Sequence, residues 1–404
     1  MEKEGQRRLR LLAHMDARLR ASREGTRGIL RYAATHPDVE VRLFGPGTAA
    51  MGIMAFRDWR PDGLIVGKPG DKNEKPLGRV LADAVKIGCR AAVLAGVEPY
   101  AKCPIQSVSA FANNAAVARC AAEHFATRGL RHLAFVGVQD EKRSAVQRPW
   151  SAERDKAFCE CAAQMGCSYA SFGEAKAAPD AGVRQRRALA KWIAALPKPC
   201  GILVACDLVA NNVLDACREA NVAVPQAALV LGVDDDEFVC PHTTPPLSSI
   251  VIDYDSSGYR EVELLVALLH GKKLPARITA CGVKGVVQRL STSDPNEARL
   301  MVSRAEEFIR DHAASGGIGV GDVARAAFAS VRLLEMNFKA VTGGTVCQAL
   351  QDARLRRVCS LLKETQTPIG DIAGMCGFES DGYLKELFRR RFGCSMRDWR
   401  KTAR

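Results

Sequence analysis

At 404 residues the chain is longer than a single hydrophobic core usually serves, which predicts two or three domains. A hydrophobic fraction of 47% and a charged fraction of 25% are typical of globular proteins and exclude an intrinsically disordered chain. The net charge of +13 favours a polyanionic partner, because Lys and Arg side chains displace counterions from nucleic acid.

Cysteine usage and the first residues of the chain exclude further classes. The 15 cysteines occur singly, and no CxxC pair is completed by a second pair or by two histidines, so no zinc site is predicted. The nearest group, Cys159, Cys161 and Cys167, is better explained by small buried side chains. The first apolar run, Leu9–Met15, contains Arg10 and is too short for a signal peptide or a membrane span. We therefore expect a cytoplasmic protein without a metal, a cofactor or a membrane partner.

Up to about residue 290, short apolar runs alternate with longer amphipathic segments. Strands are predicted at Leu9–Ala13, Val39–Phe44, Gly63–Val66, Ala91–Leu94, His132–Val136, Gly201–Val204 and Ala228–Gly232. Helices are predicted at Ser22–His36, Ala112–Arg128, Ser151–Met165, Ala181–Leu196, Asp207–Ala220 and Ser256–Leu269. Strands that alternate with helices form βαβ units and parallel sheets. This number of units is too large for one small sheet, so we predict an α/β domain of two Rossmann-like lobes.

The pattern changes after this region. Residues 291–300 are polar and predict a linker, which divides the chain into an α/β domain, 1–290, and a second domain, 301–404. No strand is predicted after Ala298, and the remaining sequence is helical with short breaks. The second domain is therefore predicted to be all-α.

The all-α domain contains two related halves. In Gly321–Phe338 a short helix is followed by a break and by a second helix with Ser330 as its N-cap. Pro368–Phe388 repeats this design with Ser380 as the N-cap, and the amphipathic run Val346–Leu362 joins the two halves. This arrangement predicts two helix-turn-helix units bridged by one long helix, each with a second helix that enters a major groove of double-stranded DNA.

The second half resembles the signature of AraC-type transcription factors. The matching residues, in order and at fixed spacing, are Ile369, Ile372, Ala373, Cys376, Gly377, Phe378, Tyr383, Leu384, Phe388, Phe392, Gly393, Asp398, Trp399 and Arg400. Leu384 stands where Phe is common, and Met396 stands where Pro usually ends the signature. Both exchanges keep an apolar side chain, so we expect altered packing of the last helix and an unchanged fold. The alternative is a generic helical bundle, which would not need two capped, broken helix pairs.

The predicted second helices supply the residues that would contact DNA. Candidates are Ser330, Arg332, Glu335 and Asn337 in the first half and Ser380, Asp381, Lys385, Arg389 and Arg390 in the second. Each of them is equally interpretable as part of a solvated helix surface. The run Arg389–Arg391 favours phosphate contacts over base contacts. Net charge adds nothing here, because Thr292 to Arg404 holds 18 Lys and Arg against 14 Asp and Glu.

The first 290 residues resemble the periplasmic-binding-protein-like effector domain of LacI-type repressors. The matching segments are Trp150–Phe158, Val204–Asp207, Leu229–Asp235 and Pro246–Ile250. Repressors of the LacI type carry their DNA-binding unit at the N-terminus, whereas this chain begins with a strand. An effector domain of this kind followed by an AraC-type domain resembles the group of xylose-operon activators.

The resemblance implies a small-sugar effector, for which a pentose such as xylose is one option. Buried sugar hydroxyls need partners, and Asp207, Asp234 and Asp235 are predicted at the carboxyl ends of strands, where such partners collect. Asp207 is alternatively a helix N-cap, and Asp235 is alternatively a loop acid.

By resemblance, Arg154 takes a sugar-contacting position and Arg23 lies beside the cleft. Trp150 is either a platform for the sugar ring or a core residue at the domain edge. The activators have an Asp immediately before the helix-one Arg, whereas this chain has Ser22, which leaves the identity of the sugar open.

Taken together, the sequence predicts a sugar-responsive, sequence-specific DNA-binding transcription regulator. By analogy with AraC-type proteins we expect an activator of carbohydrate-utilisation genes that forms a homodimer and contacts RNA polymerase. The alternative is a two-lobed, Rossmann-like transferase. No GxGxxG follows a predicted strand and no GxxxxGK[ST] occurs, so the sequence favours a protein that is not an enzyme.

Overall fold

The computed structural model describes residues 7–46, 48, 52–67, 76–100, 102–140, 143–172, 181–293 and 295–402. The chain divides into two units, Met1–Val287 and Gln288–Arg404. Helix α8 begins at Pro295, so residues 295–300 of the predicted linker are helical. Residue 294, also in that segment, lies outside the described residues.

The strands of the first unit are β1 (Leu9–His14), β2 (Val39–Phe44), β3 (Gly63–Gly67), β4 (Ala91–Ala95), β5 (Gln106–Ala112), β6 (His132–Val136), β7 (Gln139–Asp140), β8 (Arg143–Gln147), β9 (Ser168–Phe172), β10 (Cys200–Val204), β11 (Ala228–Val233), β12 (Ser248–Ile252), β13 (Arg277–Cys281) and β14 (Val283–Val287). Its helices are α1 (Arg20–Thr35), α2 (Leu77–Lys86), α3 (Asn114–Ala126), α4 (Pro149–Gln164), α5 (Ala181–Ala195), α6 (Asp207–Glu219) and α7 (Tyr254–Leu269). Each strand and helix predicted from the sequence is present, with shifts at the ends. The sequence missed β5, β7, β8, β9, β12, β13, β14 and α2.

The first lobe is built on a parallel six-stranded sheet with the order β13-β5-β4-β3-β1-β2. Neighbouring residues of β1 point to opposite faces: Leu11 belongs to the core formed with α1 and α7, and Leu12 to the core formed with α2. Both side chains are fully buried. A strand that is buried on both faces needs a continuous apolar run, which explains the sequence signal of β1.

The second lobe has a six-stranded sheet with the order β14-β12-β11-β10-β6-β9. Its pairings are parallel except the antiparallel pairing of β12 with β14. Leu203 and Val204 of β10 again face two separate cores, one with α3 and α4 and the other with α5 and α6. The prediction of two Rossmann-like lobes is therefore confirmed.

The chain passes between the two lobes three times: after β5, after β12, and between β13 and β14. The carboxyl ends of the parallel strands border the crevice between the lobes, which is where open α/β sheets bind ligands. Helix α1, which begins at this crevice, is fixed against α7 at a close crossing. A Cβ atom on Gly258 would lie 1.8 Å from the carbonyl oxygen of Gly25, so only glycine permits this approach.

Among the residues described there, the second unit consists of helices and the segments that connect them. Its helices are α8 (Pro295–His312), α9 (Val320–Ala326), α10 (Val331–Thr342), α11 (Val346–Glu364), α12 (Ile369–Met375), α13 (Asp381–Phe392) and α14 (Met396–Thr402). One core lies between α8, α9, α10 and the start of α11, and a second lies between the end of α11 and α12 to α14. Met396, which departs from the AraC signature, is buried in this second core. No helix in the described part of the chain is both long enough and apolar enough to cross a membrane.

Candidate functional site

Arg154 is the centre of the candidate ligand site in the first unit. It lies on α4, whose first turn carries Pro149 and Trp150, and its side chain is only 4% exposed. One terminal nitrogen donates to the carbonyl oxygen of Ala205 at the end of β10, and the other donates to Asn114 Oδ1 at 3.1 Å. The guanidinium carbon lies 5.3 Å from the centre of the Trp150 ring. Among the described residues the buried Nε of Arg154 has no hydrogen-bond partner, which leaves one donor for a ligand.

Asp234 is the acidic counterpart of Arg154. It follows β11 with a left-handed backbone φ of 110°, which turns its side chain out of the strand direction. Its Oδ1 accepts a hydrogen bond from the Tyr254 hydroxyl at 2.6 Å. Burial raises the pKa of the Asp234 carboxyl, while the nearby Arg154 guanidinium and the Tyr254 hydroxyl oppose that rise. The structure brings the predicted Asp234 and Arg154 together, and it adds Asn114 and Tyr254, which the sequence did not single out.

Asp207 has a supporting role. The side chain is 1% exposed, and its two oxygens accept from Ser249 Oγ at 2.7 Å, the Asp236 amide at 2.8 Å and Cys240 Sγ at 3.1 Å. These partners belong to β12 and to the loop after β11, so Asp207 holds that loop in place. Burial and the neighbouring Asp234 carboxylate raise the pKa of Asp207. Its carboxylate is already satisfied by the protein, and we therefore remove it from the predicted ligand contacts.

Two arginines of α1 connect the two lobes. Arg20 lies 3.4 Å from Asp235 and 3.5 Å from Glu237, and Arg23 lies 3.0 Å from Glu237 and 3.5 Å from Asp236. The acids follow β11 in the second lobe, whereas α1 belongs to the first lobe. Arg23 and Asp235, both predicted as ligand contacts, are therefore engaged in ion pairs across the crevice. The sequence missed Arg20, because an Arg in a first helical turn carries no signal of its own.

A chain of polar contacts holds Asn114 in position. Its Nδ2 donates to Glu153 Oε2 at 3.0 Å, and the other oxygen of Glu153 is paired with Arg277 of β13 in the first lobe. Ser22, where the resemblance implies an Asp, accepts a hydrogen bond from the Asp16 amide at 2.8 Å. Ser22 therefore stabilises the segment between β1 and α1.

The second unit contains the two predicted helix-turn-helix units, α9 with α10 and α12 with α13. Ser330 Oγ caps α10 by accepting from the Leu333 amide at 3.2 Å, and Ser380 Oγ caps α13 by accepting from the Tyr383 amide at 3.4 Å. Both helices end at a left-handed glycine, Gly343 or Gly393. The predicted repeat and its N-caps are confirmed.

The predicted DNA contacts differ in how exposed they are. The basic side chains are exposed, namely Arg332, Lys385, Arg389 and Arg390, whereas the acidic Asp381 and Glu335 are partly buried. Lys385 is paired with Asp381 at 2.5 Å. Glu335 accepts from the Val346 amide at 3.4 Å, a contact at the start of α11.

Asn337 does not lie on the surface. It is 1% exposed, and its Nδ2 lies 3.5 Å from Met301 Sδ in the core between α8 and α10. A buried side chain has no access to a groove, so the structure removes Asn337 from the candidate DNA contacts. The sequence pattern could not reveal this, because Asn is rare in helix cores.

Comparison with known proteins agrees with this architecture. Residues 122–292 match the model of a periplasmic binding protein-like domain, and residues 323–402 match that of a helix-turn-helix domain. The xylose operon regulatory protein of Escherichia coli K12 is 27% identical over 348 residues, which are 86% of each chain. That of Haemophilus influenzae is 28% identical over 288 residues, 71% of this chain and 73% of the relative. A solved structure of a xylose-binding transcription activator covers 98% of both chains with a TM-score of 0.55 and 25% identity.

The fold and these matches define a transcription regulator in which a periplasmic-binding-protein-like domain precedes an AraC-type helix-turn-helix domain. The chain is homologous to the xylose operon regulatory proteins. These matches confirm the class of protein that the sequence predicted, a sugar-responsive, DNA-binding transcription regulator.

Proposed function

We propose that the protein activates carbohydrate-utilisation genes when a small sugar binds in the crevice of its first unit. One observation carries the proposal: the buried Arg154 keeps an unpartnered Nε beside the Asp234 carboxylate and the Trp150 ring. A guanidinium donates to sugar oxygens, a carboxylate accepts from hydroxyls, and an aromatic ring covers the apolar face of a sugar. A neutral polyhydroxy ligand fits these groups, and the names of the relatives favour xylose.

The sugar would act by stabilising the closed arrangement of the two lobes. Arg20 and Arg23 of the first lobe are paired with acids of the second lobe, so a ligand that favours this arrangement of the lobes also favours these ion pairs. A coupling free energy of about 1–3 kcal/mol is enough to change DNA affinity 5- to 150-fold. We propose that closure alters a homodimer so that its helical domains fit spaced half-sites.

In the DNA complex, α10 and α13 would each enter a major groove with their capped N-termini. We propose that Arg332 and Lys385 contact bases, together with the N-terminal residues Ser330, Ser380 and Asp381. The exposed Arg389 and Arg390, near the other end of α13, would contact phosphates. Activation would require a contact with RNA polymerase in the cytoplasm, and we propose no catalytic activity for the chain.

The test is a thermal-shift screen of the full-length protein against pentoses and hexoses. A ligand that binds only the folded state raises the midpoint in proportion to the logarithm of its concentration. We expect one sugar, with xylose as the first candidate, to raise the midpoint and to change the affinity for a DNA site selected by the protein from a random pool. If no sugar shifts the midpoint, or if the shifting sugar leaves DNA affinity unchanged, the proposal is wrong.

A further inference from the structure

The turns of the two helix-turn-helix units differ at the residue that has a left-handed backbone. In the second turn the left-handed residue is Gly377, with φ 75°, and the following Phe378 is buried. In the first turn the left-handed residue is Phe328, with φ 55°, and its side chain is 82% exposed. A left-handed backbone costs a residue with a Cβ atom roughly 1–2 kcal/mol. An exposed ring returns little of that free energy through burial, so packing within the described structure does not account for Phe328.

The surroundings of Phe328 are apolar and positively charged. The guanidinium carbon of Arg304 on α8 lies 5.3 Å from the centre of the Phe328 ring. Leu300 lies one turn before Arg304 on α8, and Val331 follows the N-cap of α10; both are exposed apolar side chains. Arg332 is exposed as well, and neither Arg304 nor Arg332 has an ion-pair partner among the described residues. Such a surface fits a ligand with negative charges beside small apolar groups.

Phe328 lies beside the helix that is proposed to enter the major groove, which favours DNA as the ligand of this surface. It lies two residues before Ser330, the N-cap of the helix whose N-terminal end meets base edges in this type of unit. DNA offers an apolar group in the major groove, the 5-methyl group of thymine, and Phe contacts it in known complexes. Arginines at the groove edge bind phosphates.

We propose that Phe328 is a specificity-determining residue that contacts the methyl group of one thymine at the edge of the site bound by α10. Arg304 holds the ring in place and binds the flanking phosphate. This proposal rests on the proposed DNA-binding role of α10. It adds contacts from the turn and from α8, outside the two helices that the sequence singled out.

The test uses full-length protein and a DNA site that it selects from a random pool. Each thymine of the protected region is replaced in turn by deoxyuridine, which lacks only the methyl group. At one thymine we expect the affinity of the unaltered protein to fall about fourfold, the factor that corresponds to one buried methyl group. Phe328→Gly should bind the thymine and deoxyuridine versions of that position equally, so the two changes form a double-mutant cycle.

Misfolding does not explain such a result, because glycine relieves the left-handed strain. We expect the Phe328→Gly protein to melt no lower than the unaltered one. Val341→Ala is the matched control, since Val341 is an exposed apolar residue near the other end of α10. It should leave the dependence on the thymine methyl unchanged. Arg304→Gln should weaken both versions of the site, lower the salt dependence by about one counterion, and reduce the preference for thymine because the Phe328 ring loses its support.

Three results would overturn the proposal. The first is a preference for thymine over deoxyuridine that survives in Phe328→Gly, and the second is the absence of such a preference at every thymine. The third is unchanged DNA affinity in Phe328→Gly together with lost dimerisation or lost activation by RNA polymerase, which would make this surface a protein contact. If the protein selects no DNA sequence at all, the proposed DNA-binding role itself is wrong. This outcome differs from a failure of the Phe328 proposal alone, because the unaltered protein and the Val341→Ala control would then also lack a specific site.

Discussion

The guanidinium of Arg23 lies 3.0 Å from the carboxylate of Glu237, so a side chain of the first lobe is paired with a side chain of the second. Arg23 is 20% exposed and Glu237 is 49% exposed, which means that solvent screens the pair. Exposed ion pairs contribute about 0–1 kcal/mol, and salt weakens them further. The pair therefore contributes only a small part of the free energy that holds the two lobes together, less than the binding of a ligand can supply.

Replacing Glu237 by Gln tests this function of the pair. We expect the dissociation constant for the effector sugar to rise by no more than about fivefold at low salt, because the closed state loses an exposed ion pair. The rise should shrink as salt is added, since the unaltered protein loses the same interaction by screening. Isothermal titration at two salt concentrations measures both effects.

Glu24→Gln is the control for this experiment. Glu24 is on α1 and pairs with Arg27 of the same helix, so its loss does not affect the contact between the lobes. A Glu237→Gln protein with the same salt dependence of sugar affinity as the unaltered protein would contradict the assignment.

Asp234→Asn tests the ligand site directly. The exchange keeps the shape of the side chain but removes the charge and one acceptor, and hydrogen bonds to charged groups contribute about 1.5–3 kcal/mol. We therefore expect sugar affinity to fall by roughly 10- to 100-fold, with unchanged DNA binding in the absence of sugar. Gel-shift titrations with and without the sugar measure the two properties separately. Asp215→Asn, an exposed acid of α6 paired with Arg218, should change neither. Equal loss of sugar response and basal DNA binding would contradict the role of Asp234.

Several of the strands that the sequence predicted, such as β10 and β11, have continuous apolar runs because both of their faces are buried. The missed strands β9, β13 and β14 lie at sheet edges and have partly exposed residues, so their sequences lack such a run. The missed β5 and β12 lie inside the sheets but carry serines, which interrupt their apolar pattern.

The candidate site was only partly predictable for a related reason. Asp234 could be found because it follows a predicted strand directly. Asn114 and Tyr254 could not, because each begins a helix far away in sequence and reaches the site only through the crossings between the lobes. The three protein donors to Asp207 could not be predicted either, since they come from segments whose proximity no local pattern encodes.

Glu261 on α7 should make the stability of the protein depend on pH. The side chain is buried, its Oε1 accepts from Ser257 Oγ at 3.0 Å, and burial raises the pKa of its carboxyl to about 7. In the unfolded chain this pKa is near 4.3, so between about pH 4.5 and 7 the folded protein binds more protons than the unfolded one. The contribution of Glu261 is therefore favourable at low pH and is lost as the pH rises toward 7. At pH 8 the cost of the buried charge amounts to roughly 4 kcal/mol.

Glu261→Gln should remove this cost without altering the packing of α7. We expect the variant to be more stable than the unaltered protein at pH 8 and about equally stable at pH 5, as measured by thermal unfolding of full-length protein across this range. Glu263→Gln, an exposed residue of the same helix paired with Arg260, should reproduce the unaltered profile. A Glu261→Gln profile parallel to that of the unaltered protein would show that Glu261 ionises at its ordinary pKa.

The burial of Asn337 leads to the last prediction. Its Oδ1 has no hydrogen-bond partner within the described residues, and its Nδ2 has only the weak acceptor Met301 Sδ. An unsatisfied polar group in a core costs about 1–3 kcal/mol, and Asn also disfavours the helix interior. Asn337→Leu should therefore raise the stability of the second unit by roughly 1 kcal/mol, with unchanged specific DNA affinity.

Thermal unfolding and DNA titration of the same Asn337→Leu sample separate these two effects. Asn211→Leu, an exposed change inside α6, measures what helix propensity alone contributes. A tenfold loss of specific DNA affinity in Asn337→Leu, with unchanged non-specific affinity, would show that Asn337 contacts a base in the groove. That result would require α10 to rotate on binding, because in the structure described here the side chain points into the core between α8 and α10.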